Sequence, residues 1–158
     1  MFNVVLVQPE IPPNTGNIIR LCANTGCSLH LIEPLGFPID HARMRRAGLD
    51  YHEFISMKIY PNWQAFLAAT QPGRLFGFST RGRTSPFQCR FEPGDHLVFG
   101  CETAGLPAEV LNSLQPEQLL RLPMRPDNRS LNLSNAVAIS VFEAWRQHDF
   151  AGAAPLDT

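Results

Sequence analysis

The residues of this 158-residue chain best suited to chemistry are gathered in three stretches. The first runs Glu10-Ile-Pro-Pro-Asn-Thr-Gly-Asn-Ile-Ile-Arg20, and the second Leu97-Val-Phe-Gly-Cys-Glu-Thr-Ala-Gly-Leu-Pro107. The third begins Leu122-Pro-Met-Arg-Pro-Asp-Asn-Arg-Ser-Leu-Asn132 and leads into an apolar segment. Pro123 and Pro126 forbid regular backbone pairing there, and Asp127-Asn128 favours a turn, so an Arg-, Asn- and Ser-bearing loop is expected. Twelve of the thirteen basic residues are Arg. A guanidinium meets phosphate through a planar fork of two hydrogen bonds, which suits an RNA ligand. A genome rich in Arg codons is the plainer explanation. Because the net charge is −1, any attraction to nucleic acid must be local rather than a field of the whole molecule.

Several familiar chemistries are poorly supported. Gly100-x-x-x-x-Gly105 begins like a phosphate loop, but Leu106-Pro107 stands where Lys and a hydroxyl would be needed to hold a triphosphate and its magnesium. No G-x-G-x-x-G follows a strand, and no Ser sits in a G-x-S-x-G elbow. The five His and four Cys residues show no metal-ligand spacing, so no metal is expected and the cysteines read as small buried hydrophobes. No apolar run approaches the ~20 residues of a membrane span, and no signal segment opens the chain. A cytoplasmic protein with no membrane association is therefore expected.

Elements must position these stretches. Phe2 to Val7 is an apolar run broken only by Asn3, the pattern of a buried parallel strand. Asn14 is placed to cap a helix in which Ile18, Leu21, Cys22 and Thr25 recur at helical spacing and which Gly26 stops. Strands are expected at Ser28 to Ile32, Phe54 to Tyr60, Arg74 to Ser79, His96 to Phe99 and Leu119 to Leu122. Helices are expected after Asp40 (to Gly48), after Asn62 (to Ala69) and from Pro107 to Leu114. Asn132 or Ser134 caps the last one, whose two sides are both apolar: Ala136, Val137, Ser140, Val141 and Ala144 on one, Ala138, Ile139, Phe142 and Trp145 on the other. A helix of that kind must be buried twice, against its own core and against a partner, plausibly a second copy of the chain. Alternating strands and helices give an α/β architecture with a mostly parallel sheet flanked by helices. One domain over residues 1–149 and a loose tail over 150–158 are expected. In such sheets ligands sit beyond the carboxyl ends of the strands. The loops Thr80–Pro86, Gly100–Pro107 and Pro123–Ser130 fit that place.

Taken together, the three stretches closely resemble the motifs of SPOUT-class RNA methyltransferases of the branch that methylates the ribose 2′-hydroxyl. The matching patterns are N-x-x-R at Asn17 to Arg20, F-G-x-E-x-x-G-L-P at Phe99 to Pro107, and P-M-x-x-x-x-R-S-L-N-L-S at Pro123 to Ser134. The resemblance spans nearly the whole chain, in the family's order. Lack of any additional RNA-binding domain looks like the minimal members, which act on the wobble nucleotide of tRNA, cytidine or uridine 34.

The resemblance implies a C-terminal trefoil knot that makes the pocket for S-adenosylmethionine, with S-adenosylhomocysteine as product. It also implies a homodimer, here through the 132–146 helix, and tRNA as partner. Carried over by position, Phe78, Gly100, Leu122, Ser130 and Leu131 would bind the cofactor, with Glu102 and Gly105 supporting the loop. Glu102 would hold a ribose hydroxyl or brace the loop. Arg20 would be catalytic, and the lasting charge of a guanidinium favours a clamp that polarises the hydroxyl over a base. Arg125, Arg129 and Asn132 would contact tRNA, and Arg43, Arg45 and Arg46 form a basic helix face that either touches the anticodon stem or is simply solvated. Phe37, Tyr51 and Phe87 are equal candidates for stacking on an extruded base. Phe142 stands where wobble-type members often carry Tyr, which removes a hydroxyl from the proposed dimer seam. The same chemistry at another tRNA or rRNA position, and a non-catalytic RNA-binding module, are the alternatives.

Overall fold

The computed structural model describes residues 1–54 and 56–157. Six strands form one sheet in the order β3-β2-β1-β5-β4-β6, with every neighbouring pair parallel. They are β1 Asn3–Val7, β2 Ser28–Ile32, β3 Lys58–Tyr60, β4 Leu75–Phe78, β5 His96–Phe99 and β6 Leu119–Leu120. The helices are α1 Pro12–Thr25, α2 His41–Arg46, α3 Tyr51–Phe54, α4 Trp63–Thr70, α5 Ala108–Asn112 and α6 Leu133–Arg146.

Helices cover both faces of the sheet, which explains why β1 is apolar after Asn3: Val4, Val5 and Leu6 are fully buried in its middle. On one face Ile18, Ile19 and Cys22 of α1 and Val137, Val141 and Ala144 of α6 pack against Leu6, Leu31, Leu97 and Phe99. On the other, Trp63 and Phe66 of α4 and Val110 of α5 close over Val5, Val7 and Val98. Each such fully buried aliphatic contributes roughly 1.5–3 kcal/mol over an exposed one.

Local chemistry sets most element ends, though not always as the sequence suggests. Pro12 and Pro13 open α1, where a missing N–H goes unneeded, and the N-cap residue Ile11 makes no side-chain cap bond. Asn14 is therefore not the cap; it lies inside the first turn with its side chain buried. Gly26 ends α1 at φ 78°, as expected. Asp40 and Asn62 cap as expected, accepting from the amides of Arg43 and Ala65, each at 2.8 Å. The strand expected from Phe54 is shorter: Tyr51–Phe54 is a helical turn and pairing starts at Lys58, residue 55 lying outside the described residues. Pro107 is the N-cap of α5 rather than its first residue, and α5 ends at Asn112. β6 spans only Leu119–Leu120 beside β4; from there the 79–84 loop takes over, with Thr84 bridging Leu120 and its carbonyl accepting from the Arg121 amide.

Helix α6 divides as its sequence divides. Val137, Ser140, Val141 and Ala144 are fully buried, whereas Ile139 and Phe142 are 39% and 46% exposed. The Ser140 hydroxyl is satisfied by donating to the Ala136 carbonyl at 2.7 Å. Trp145 is covered by the chain's own end: Phe150 packs edge-on against it, and its indole N–H donates to the Ala151 carbonyl at 3.0 Å. The start of the stretch expected as loose from residue 150 is thus tied back to α6 through Phe150 and Ala151, and the Ala153 amide donates to Phe150 within it. Among the described residues no helix is long and apolar enough to cross a membrane.

Candidate functional site

Strands β5, β4 and β6 lie side by side, so the segments leaving their carboxyl ends emerge together. They enclose a cavity of about 720 Å³. Phe78 ends β4, Gly100 follows β5, and Leu122, Ser130 and Leu131 belong to the segment after β6; all five line this cavity. Glu102, Gly105 and Asn132 line it as well. Residues spread over 55 positions of sequence, from 78 to 132, thus meet at one sheet edge, where parallel sheets bind ligands.

The loop after β5 doubles back on itself. A Cβ on Gly100 would stand 2.0 Å from the carbonyl carbon of Gly105 and 2.2 Å from the amide of Leu106, so no larger residue fits. Gly105 takes φ 70°, a left-handed conformation, and its amide donates to Cys101 at 3.1 Å. Behind this turn Phe78 and Phe99 stack face to face, 4.6 Å apart and 13° from parallel. The cavity therefore combines flat apolar walls (Phe78, Leu106, Leu122, Leu131) with main-chain groups left bare by glycine, the makings of a site for a planar heterocycle.

Glu102 braces the three stretches to one another. One carboxylate oxygen accepts from the Glu10 amide at 3.0 Å, and the other from the Ile11 amide and from Asn14 Nδ2 at 3.3 Å. Both oxygens are engaged by the loop after β1, which favours bracing over a bond to a ribose hydroxyl. The contact is reciprocal: the Glu10 carboxylate accepts from the Thr103 hydroxyl at 2.6 Å and its amide at 3.2 Å. Chiefly the Thr103 hydroxyl holds Glu10 below the usual carboxylate range. Asn14 completes the link by accepting from Asn132 Nδ2 at 3.0 Å, while Asn132 Oδ1 caps α6 through the amides of Ser134 and Asn135. The buried hub Asn14 is the residue sequence reasoning missed. Its partners lie 88 and 118 positions away, and no local pattern connects them. Ser79, Thr80, Arg81, Arg121 and Met124 also line the cavity; the position of their loops announced Thr80, Arg81 and Met124, whereas Ser79 and Arg121 read as strand residues.

Arg20 is not in this wall. It lies on the exposed side of α1, with Nε donating to Glu53 at 3.1 Å and Nη2 to the Gly48 carbonyl. Six residues separate it from Asn14, about 9 Å of helix rise. Arg125 and Arg129 are exposed on the segment after β6 and do not line the cavity either. Among the described residues, the ligand atoms of Asp50, His52 and Glu53 lie within 4.8 Å of one another. Glu53 is already engaged there by Arg20 and by the Asp50 amide.

The chain matches the SpoU rRNA methylase family over residues 1–142. It is 66% identical, over 156 residues, to the tRNA (cytidine(34)-2′-O)-methyltransferase of Burkholderia cenocepacia (strain HI2424), covering 98% of this chain and the whole of that protein. A solved structure on the 2-OH methylation of C/U34 on tRNA superposes with a TM-score of 0.85 at 45% identity, covering 94% of this chain and 97% of that one. The AdoMet-bound rRNA methyltransferase of Sinorhizobium meliloti superposes with a TM-score of 0.77 at 25% identity, over 92% of this chain and 56% of that one. Matched from its first strand well into its last helix, the chain belongs to the SpoU methylase family.

Proposed function

We propose that this protein transfers the methyl group of S-adenosylmethionine to the ribose 2′-hydroxyl of tRNA nucleotide 34, a cytidine or modified uridine, and releases S-adenosylhomocysteine. The observation that carries this reading is the single cavity into which Phe78, Gly100, Leu122, Ser130 and Leu131 converge. Its apolar walls suit adenine, and main-chain carbonyls suit a sulfonium cation better than helix N-termini would. When bound there, S-adenosylmethionine supplies an electrophilic methyl carbon. This chain's residues must then align a poor nucleophile and ease its proton away, since proximity and orientation dominate such a step. A guanidinium keeps its charge in proteins, so Arg20 acts as a clamp on the target's phosphate that polarises the hydroxyl. Asn132 is committed to the α6 cap and to Asn14. Ser130 lines the cavity with an exposed hydroxyl placed to reach a ligand. Arg125 and Arg129 hold tRNA phosphate from the rim. No metal takes part.

The working unit is a homodimer joined through α6, where Ile139 and Phe142 remain exposed. The C-terminal third forms a trefoil knot, a reading supported by the way the 79–84 loop clasps β6. The Ser79 amide donates to Leu120, the Arg121 amide donates to Thr84, and a Cβ on Gly82 would lie 2.5 Å from the Leu120 carbonyl carbon. The enzyme works in the cytoplasm, where its tRNA substrate is found. Incubation of purified protein with tRNA and labelled S-adenosylmethionine, followed by mass spectrometry of the nucleosides, should show a 2′-O-methyl nucleoside at position 34. Protein that binds tRNA and leaves it unlabelled would sink the proposal.

A further inference from the structure

We infer that a second cavity, beside the first, holds an unstacked base of the anticodon loop; the inference rests on the tRNA-methylating reading above. This cavity measures about 310 Å³ and is lined by Pro12, Phe37, Pro38, Arg43 and Arg46. That is the low end of the roughly 300–1,000 Å³ range of small-ligand clefts. A half-buried phenyl ring and two proline rings give it rigid apolar surfaces, and two guanidinium groups give it charge. Single-stranded RNA is recognised by this combination: the base stacks on an aromatic face or an Arg plane, and Arg meets the phosphate.

The two arginines are fixed at the base and open at the tip. Arg43 Nε donates to Asp40 at 3.2 Å and Arg46 Nε to the Ala42 carbonyl at 3.4 Å. Among the described residues no hydrogen bond engages their terminal nitrogens. The cavity is also in the right place. Ile11 lines the first cavity and Pro12 the second, and consecutive Cα atoms are only about 3.8 Å apart. The two linings thus meet at the 11–12 step, and the inference puts a ribose at the first cavity with its own base, or that of the next nucleotide, against Phe37. The other two candidates for stacking, Tyr51 and Phe87, lack such a setting. Tyr51 packs edge-on against His41 and Phe54, and neither Tyr51 nor Phe87 lines either cavity.

The test uses an anticodon stem-loop carrying pyrrolocytosine at the target position or 2-aminopurine at its 3′ neighbour, two bases whose fluorescence reports stacking. One of the two probes should respond when the wild-type protein binds, identifying which base enters. Phe37→Leu should abolish that response and raise the KM for RNA roughly ten-fold, and Phe37→Trp should restore both. Arg46→Gln should raise KM and flatten the salt dependence of binding. Calorimetric titration with S-adenosylmethionine verifies that each variant retains its first cavity. If wild type methylates the stem-loop while Phe37→Leu keeps its KM and probe signal, this base site is refuted and the function stands. A wild-type protein that methylates no RNA removes both.

Discussion

Gly100 has no room for a methyl group, and this gives the cofactor site its most direct test. The 2.0 Å approach of a would-be Cβ to the Gly105 backbone means that Gly100→Ala must push the 100–106 turn outward. Overpacking of this kind costs typically 1–3 kcal/mol, so affinity for S-adenosylmethionine should fall by about ten-fold or more while the far-UV circular dichroism is retained. An unchanged calorimetric Kd would mean that the turn does not shape the site. Arg20 makes the opposite case, since it touches Glu53 and Gly48 and none of the cavity wall. Arg20→Ala should therefore abolish methyl transfer in single-turnover assays while leaving cofactor affinity nearly intact. Equal loss of both would remove Arg20 from the role of RNA clamp.

At the scale of elements, α6 is held at its start by a residue with two duties. Asn132 caps the helix with its oxygen and steadies Asn14 with its nitrogen. Asn132→Ala should cost about 1 kcal/mol for the cap and rather more in all, read as a lowered urea midpoint. A loss no larger than that of other surface alanines would argue against the linkage. The split of α6 into a buried and an exposed side was legible because helical spacing is local. The Asn14 hub was not, because a residue's distant partners leave no trace in the pattern around it. Short edge elements were misjudged for a related reason: Leu119, Leu120 and Leu122 read as one strand, yet pairing with β4 ends at Leu120, where the distant Thr84 bridges the chain. Strand β2 carries a pH prediction. His30 is buried between the Tyr60 hydroxyl at 2.9 Å and Asn3 Oδ1 at 3.0 Å. Burial, with smaller effects of His96 and Lys58, pushes its pKa down to about 4. An unfolded His takes up its proton near pH 6.5. Between about 6.5 and 4 the unfolded chain thus binds more protons, and stability must fall as pH is lowered. The total is at most about 3 kcal/mol from this group. Burial likewise depresses His96, adding to the slope, whereas it raises Asp95, which opposes it. Urea unfolding at pH 7 and pH 5 should show the fall in wild type and a shallower one in His30→Gln; equal slopes would exclude His30 as the source.

For the whole molecule, residue patterns told which layers the chain builds, whereas the knot expected in its last third came from the resemblance alone, because a crossing order is a property of the path and not of any residue's neighbours. The patterns did foretell that one layer is left uncovered. Ile139, Phe142 and Phe150 are each about two-fifths exposed or more, and Phe150 lies 6.3 Å from Phe142 ring to ring. Scattered apolar side chains need no explanation, but large ones grouped on a single helix flank mark an interaction surface. With a net charge of only −1 there is little self-repulsion to keep copies apart. Phe142→Glu separates the two explanations for this flank. Phe142 is exposed in the single chain, and surface substitutions usually stay within about 0.5 kcal/mol, so the fold itself should tolerate the change. A carboxylate placed in an apolar seam between two copies would instead be desolvated without a partner, which an interface cannot accommodate cheaply. Light scattering after gel filtration, over a range of concentrations, should give a dimer for wild type and a folded monomer for Phe142→Glu. A variant that still elutes at the dimer mass would mean that the second apolar side of α6 is not where two copies meet.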